Sequence, residues 1–477
     1  MIPMTLAEIA EAVGGELADA GDGTTTEVVG DVFHDSRQVV AGGLFVAIRG
    51  ERVDGHEFAA GCVEAGAAGV LVERPVGVPA VVVADTVAAL SALAAVVVSR
   101  LPRLRVVGIT GSQGKTSTKD IVAQLLERSG ETIAPAGSFN NEIGAPLTAL
   151  RVRESTAYLV SEMGARGRGH IRDLATMVRP TVGLVLNVGV AHIGEFGSQD
   201  DIAVAKRELV EALPESGLAV LNADDPRVVS MRDHTAARVI TFGEATDADV
   251  RVSELQVDED GRPLFVLSTG AESADVVVPL VGEHQASNAA AAAAVALGLG
   301  MPFVDVVDTL RSLTTRSRWR MEVSNTADGV TIINDAYNAN PDSMRAALKT
   351  LADFGRRRGS GRTIAVLGEM RELGESSQAE HDAVGRLAVR LDVSQLVVVG
   401  EEAKPMHLGA SLEGSWNEES VHVPDVDAAV AFLRGALRPG DVVLVKASRA
   451  AGLERVAAAL TADDADGAGP GTREADA

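Results

Sequence analysis

Residues 108–119 read "GITGSQGKTSTK", a stretch whose residue types and spacing suit the holding of phosphate. In a phosphate loop, backbone N–H groups and a helix N-terminus surround phosphate oxygens, a lysine reaches the outer phosphates, and a hydroxyl coordinates magnesium. Here the glycines are Gly111 and Gly114, the lysine is Lys115 and the hydroxyl is that of Thr116, with Thr110, Ser112 and Ser117 beside them. The strict G-x4-G-K-[ST] spacing is missed by one position, because Ile109 stands where its first glycine belongs. An ordinary Gly-rich turn with a solvated Lys115 is the competing reading. The apolar run before the loop and the helical pattern after it weigh against that reading.

Three more polar residues follow at or near the ends of strand-like runs, where ligands bind in open α/β sheets. They are Glu162 in "LVSEMGARGRGHI", His192 in "LVLNVGVAHIGEFGS" and Lys206 in "IAVAKRELVEAL". A carboxylate and an imidazole near a bound triphosphate suit Mg2+, which prefers hard oxygen ligands and bridges phosphates. Each taken singly reads as a surface Glu, a core-edge His or a helix-face Lys; in succession behind one phosphate loop they read as a site. Kinases and NTPase switches use such loops too, so the loop alone does not name the reaction.

These side chains need a framework, and the pattern supplies an α/β fold of three domains. Residues 1–100 alternate β-branched runs ("GLFVAI", "GVLVE", "AVVVA") with Ala-rich helical stretches, the texture of a small α/β unit. Residues 101–314 read as a central P-loop ATPase-type domain with a mostly parallel, doubly wound sheet. It is followed by an antiparallel appendage at "DVRVSELQVDEDGRPLFVLSTG" and "ADVVVPLVG" and by the strong helix former "HQASNAAAAAAVALGLG". Residues 315–461 form a second, Rossmann-like doubly wound unit, and residues 462–477, acidic and without large apolar side chains, are expected to be disordered.

Composition narrows the partners. With 477 residues the chain exceeds one ordinary core, and a net charge of -24 provides no basic surplus for nucleic acid. The single cysteine, Cys62, excludes an internal disulfide; with no charged-then-apolar leader, the expected compartment is the cytoplasm. Apolar runs are too short to span a bilayer.

The series "GITGSQGKTSTK", "FNNEIGAPLT", "EMGARGRGHI", "NVGVAHIGEFGS", "AKRELV", "LNADDPRV", "GEHQASNAAAAAAVA", "INDAYNANPDSMRAAL", "LGEMRELG" and "LVKASRAAGLERV" resembles the Mur ligases, the ATP-dependent amide ligases of peptidoglycan precursor synthesis. The likeness runs from about residue 35 to residue 456 in family order. Within the family, "DAYNANPDSM" and "FNNEIG" favour the activity that joins D-alanyl-D-alanine to UDP-N-acetylmuramoyl-tripeptide over the addition of single amino acids. The resemblance implies a UDP-substrate domain, a central ATPase domain and a C-terminal domain that closes over the nucleotide and brings the amine. It implies that Lys115 and Thr116 hold the outer phosphates and Mg2+, that Glu162 and His192 serve metal ions, and that Lys206 is carbamylated into a metal ligand. It puts Asn288 against adenine, and Arg320, Asp335 and Tyr337 at the nucleotide. Ser36, Arg37, Asp54 and His56 would lie near the uridine diphosphate, and Asn140, Asn141, Asn338 and Asn340 near the remaining substrate. A monomer is expected.

Two departures from the family pattern stand out: Trp319 in "RWRME" and Ala447 in "LVKASR" occupy positions where glycine is usual. Alternatives are a sister ligase adding one amino acid, a P-loop small-molecule kinase, and an inert nucleotide-sensing scaffold.

Overall fold

The computed structural model describes residues 1–19, 25–50, 53–189, 193–358, 361–414 and 419–462. The expected disordered tail therefore lies outside the described residues but for Ala462, and so does His192.

Among the described residues, three large sheets follow one another along the chain, beside a two-stranded antiparallel pair of Met4–Thr5 with Glu27–Val28. The first has the order Glu16–Ala18, Ala80–Val82, Gly69–Val72, Leu44–Val46, Val32–Phe33, parallel except at its first strand. The second has nine strands, with Arg105–Thr110 between Val182–Val185 and Tyr158–Glu162. All five residues 106–110 are buried, as a strand covered on both faces requires. Because the chain proceeds to opposite sides of this strand, its C-terminal end is a switch point where a crevice opens. The third sheet runs Glu322–Asn325, Thr331–Asn334, Val442–Lys446, Thr363–Leu367, Gln395–Val399, Ser420–Val423, antiparallel only at its first pair.

The antiparallel strands expected after the central unit are present, Val250–Val257, Pro263–Ser268 and Ser273–Val277 each pairing antiparallel with the next, but they are no separate appendage: Val250–Val257 pairs in parallel with Arg238–Gly243 at Phe242↔Val250 and so extends the central sheet. Alternating burial along Val250–Val257 marks a strand with one covered face, but periodicity names no partner strand.

The helix Lys115–Leu126 packs against Gln285–Gly298, in which Ala289–Ala294 are wholly buried. Alanines permit this close approach at little loss of side-chain entropy. The contact carries Asn288 to the phosphate loop: a Cβ on Gly114 would stand 2.7 Å from Asn288 Oδ1, and Gly114 has φ +80, so glycine is required there twice over.

Candidate active site

One cleft of about 960 Å3 is lined by the phosphate loop, by Asn140, Asn141 and Glu162, by His284 and Asn288, and by residues of the third sheet's unit from Arg320 to Ala450. The first sheet's unit contributes Ser91.

The loop is braced from below. Asn187 Oδ1 accepts from the backbone N–H groups of Ser112 (2.9 Å) and Gln113 (3.0 Å), and its amide donates to the Gln113 carbonyl. The Ser112 hydroxyl accepts from Gly189 N, and Thr110 Oγ1 donates to the Met163 carbonyl, tying the loop to both neighbouring strands. Lys115 Nζ donates to the Gly111 carbonyl at 2.6 Å. Desolvation lowers its pKa, with the Glu162 charge opposing and Arg320 adding to the shift. Ser117 lines the cleft one residue beyond Thr116.

Glu162, at the end of its strand, is buried and held on both oxygens. Thr116 Oγ1 donates to Oε2 at 3.0 Å, while Ser138 Oγ and Asn140 Nδ2 donate to Oε1 at 2.7 and 2.8 Å. A hydroxyl and a carboxylate side by side at a phosphate loop form a hard-oxygen donor set that fits Mg2+, which takes few protein ligands and keeps water and phosphate. Lys206 is buried on the helix Gln199–Glu211, and its pKa is pushed well below the ordinary lysine range by burial and by the Lys115 charge.

The third sheet supplies a cation. Arg320 donates from Nη2 to Thr116 Oγ1 at 3.2 Å, and its guanidinium lies 4.3 Å above the Tyr337 ring. Its Nε is buried without a hydrogen-bond partner among the described residues, a donor suited to an anion in the cleft. Asp335 accepts from Lys446 Nζ at 2.5 Å and from Met321 N at 3.2 Å. Asn288 Oδ1 accepts from Thr118 Oγ1.

Other expected residues are engaged differently. Asn340 and Asn141 line the cleft and also serve the backbone: Asn340 caps the helix Pro341–Arg358, accepting from Ser343 N at 2.9 Å, and Asn141 accepts from Gly144 N at 2.9 Å. Asn338 lines the cleft and gives its carbonyl to Lys446. Ser36, Arg37, Asp54 and His56 do not line the cleft. The Arg37 guanidinium grips Asp35 through two 2.8 Å bonds. His56 is buried and spans Asp54 Oδ1 (2.6 Å) and the Glu73 N–H (2.8 Å). Accepting at Nε2 leaves its proton on Nδ1 and holds the Asp54 carboxyl well below the usual range.

Three family models cover most of the chain: the Mur ligase catalytic domain over residues 29–110, the Mur ligase middle domain over 109–296, and the Mur ligase glutamate ligase domain over 319–449. The UDP-N-acetylmuramoyl-tripeptide--D-alanyl-D-alanine ligase of Mycobacterium tuberculosis is 50% identical, covering 98% of this chain and 99% of its own. That of Escherichia coli is 35% identical over 96% and 99%. The chain belongs to the Mur ligase family. Among solved Mur ligases, MurF from Acinetobacter baumannii aligns with TM-score 0.84 and 33% identity over 96% of this chain and 99% of that one. MurF of Thermotoga maritima in complex with ADP aligns at 0.77 and 29% over 92% and 98%.

Within this Mur ligase, sequence reasoning passed over Asn187, Ser138 and His284, although each sits in or beside a stretch quoted for the resemblance. Asn187 and Ser138 act through hydrogen bonds to the loop and to Glu162, which only the folded chain brings within reach. Trp319, in the place of the usual glycine, has φ +59, the left-handed region that glycine enters freely; its ring lies 4.3 Å from the Arg449 guanidinium carbon. Ala447 is wholly buried, and a Cβ on Gly368 would stand 2.9 Å from its methyl group, so the small residue at 368 makes room for the one at 447.

Proposed function

We infer that the chain is an ATP-dependent ligase that joins D-alanyl-D-alanine to UDP-N-acetylmuramoyl-tripeptide, giving the UDP-pentapeptide, ADP and phosphate in peptidoglycan precursor synthesis. The observation that carries the reading is Arg320 of the third unit meeting Thr116 of the phosphate loop in one cleft, since an amide ligase must gather nucleotide, acid and amine in one place.

A carboxylate is a poor electrophile, and ATP activates it. The tripeptide carboxylate attacks the γ-phosphorus, ADP leaves, and the resulting acyl phosphate is attacked by the dipeptide amine, which expels phosphate. The first step brings two anions together, so positive charge must surround the transferring group. We assign that charge to Lys115 and Arg320, with Gly111, Gly114 and the loop amides cradling phosphate. Thr116 and Glu162, with His192 and carbamylated Lys206, would hold Mg2+, which supplies charge neutralisation at the phosphates. A neutral amine is the form that reacts with carbon dioxide, and the buried setting of Lys206 favours it. Asn288, Asp335 and Tyr337 are assigned to the nucleotide; Asn140, Asn141, Asn338 and Asn340 to the acid and amine. Ser36, Arg37, Asp54 and His56 are assigned to the uridine end.

The proposed division is 1–100 for the UDP-substrate domain, 101–314 for the ATP domain and 315–461 for the closing domain. Closure protects the acyl phosphate from water. No helix among the described residues is long and apolar enough to cross a membrane, and a cytoplasmic monomer completes the reading.

The test is phosphate release from ATP and Mg2+ with UDP-N-acetylmuramoyl-tripeptide, with and without D-alanyl-D-alanine, following the UDP-product by mass. Pentapeptide formed in step with phosphate is the expected result. Turnover with a single amino acid instead would assign a sister activity.

A further inference from the structure

The phosphate-loop helix carries two side chains that do not line the cleft yet hold the chain leading into the third sheet. Gln124 pairs with Thr314 as one strand pairs with another. Its Oε1 accepts from Thr314 N (2.9 Å) and Oγ1 (3.1 Å), and its Nε2 donates to the Thr314 carbonyl (3.1 Å). Lys119 is 1% exposed, a buried cation that the reaction does not use. It pairs with Asp120 and donates to the Pro135 carbonyl (2.7 Å) and to Ser317 Oγ (3.4 Å). At the helix end, Arg316 grips Glu127 through both nitrogens, at 2.5 and 2.6 Å.

Two residues later the attachments change. The Trp319 carbonyl accepts from Tyr337 N, its ring meets Arg449, and Met321 N donates to Asp335, all within the third unit. Residues 314–317 therefore belong to the phosphate-loop helix and residues 319–321 to the third sheet, with Arg318 between. Both Trp319 (φ +59) and Met321 (φ +50) hold left-handed backbone that side chains rarely adopt. Arg320 lies inside this turn and reaches back to Thr116.

We propose that Lys119 and Gln124 are positioning residues that clamp residues 314–317 to the phosphate-loop helix, so that the third unit pivots at residues 318–319 and Arg320 stays in register with Thr116. Lys119 links a further piece, since Pro135 begins the segment that delivers Ser138 and Asn140 to Glu162. One buried ammonium thus sets the spacing between the carboxylate side and the arginine side of the phosphate loop. The inference rests on the ligase reading for its consequence in turnover, and on geometry alone for the clamp.

The test is a double-mutant cycle of Gln124→Met with Arg320→Ala, read as kcat and as ATP affinity by calorimetry. Amide hydrogen exchange of residues 314–317 is followed in Gln124→Met alone. Misplacement of a group that acts only through Arg320 should lower kcat about tenfold to a hundredfold. The KM for the UDP-substrate should stay within about twofold, and in the Arg320→Ala background Gln124→Met should cost less than about twofold more. Faster exchange at Thr314 is expected. Equal losses in both backgrounds, or unchanged exchange at Thr314, would overturn the proposal. Lys119→Met should behave as Gln124→Met does; should it fail to fold, Ser317→Ala removes only its linker contact, and full wild-type kcat and ATP affinity in Ser317→Ala would count against the part given to Lys119. Wild-type protein without amine-dependent phosphate release would sink the ligase reading instead, leaving the exchange and calorimetry to decide the clamp.

Discussion

Two mostly parallel sheets present strand ends to the same cleft, and they use lysine in opposite ways. At the central sheet, Lys115 follows a glycine-rich turn and donates to a backbone carbonyl, that of Gly111. At the third sheet, Lys446 ends its strand 2% exposed, with its ammonium on the Asp335 carboxylate and the Asn338 carbonyl. Burial and Arg320 lower the Lys446 pKa, and Asp335 opposes them. On the proposed reading, the difference separates a charge kept for phosphate from a charge spent on the scaffold. Through Asp335 the second lysine fixes Met321 N, and so the turn that aims Arg320.

The largest effect should come from breaking the first kind of charge. Lys115→Ala is expected to lower kcat by about a thousandfold, the scale of lost transition-state charge stabilisation. Its affinity for the UDP-substrate, measured by calorimetry, should remain near wild type. Loss of both would erase the contrast and point to misfolding.

Lys446→Met attacks the second kind. It leaves the Asp335 carboxylate buried without its cation, and breaking a buried pair costs about 3–5 kcal/mol. Thermal or urea unfolding should show that loss, and Lys446→Met with Asp335→Asn should recover part of it. If Lys446→Met kept full stability while losing activity, Lys446 would belong with Lys115.

The smallest effect concerns another scaffold charge on the third sheet. Asp441 is 1% exposed; burial by itself would raise its carboxyl, but the Arg362 guanidinium, together with the Arg362 and Arg438 N–H groups, holds it below the ordinary 3.8. A carboxyl whose folded pKa is depressed adds stability above its unfolded value and loses it as pH falls through the folded one. Asp441→Asn should therefore lower stability at pH 7 by about 1–3 kcal/mol and flatten the acid limb of the urea midpoint below about pH 4. An unchanged acid limb would mean that other carboxyls govern it.

Much of this was legible before folding was considered. "GITGSQGKTSTK" announces a strand, a turn and a helix because apolar residues, glycines and helix formers succeed one another within twelve positions, and the phosphate chemistry is local to that run. Glu162 was legible as a strand end, and Arg320 through the family pattern. The partner of Val250–Val257 was not, since alternation specifies a face and no neighbour. Nor was it legible that Asn340 and Asn141, which line the cleft, also accept backbone N–H groups of the chain just after them, because an asparagine shows no such use until those N–H groups are placed.

The sequence by itself determined the phosphate loop, the succession of three α/β units and the family, because each rests on residues near one another in the chain or on their order along it. The tertiary structure alone decided which side chains share a carboxylate, which lysine is buried against Asp335, and how Gln124 comes to hold Thr314 across 190 positions of sequence. Those contacts arise when the packing of sheets and helices closes long loops, and the residues that meet bear no mark of the meeting in their own neighbourhoods.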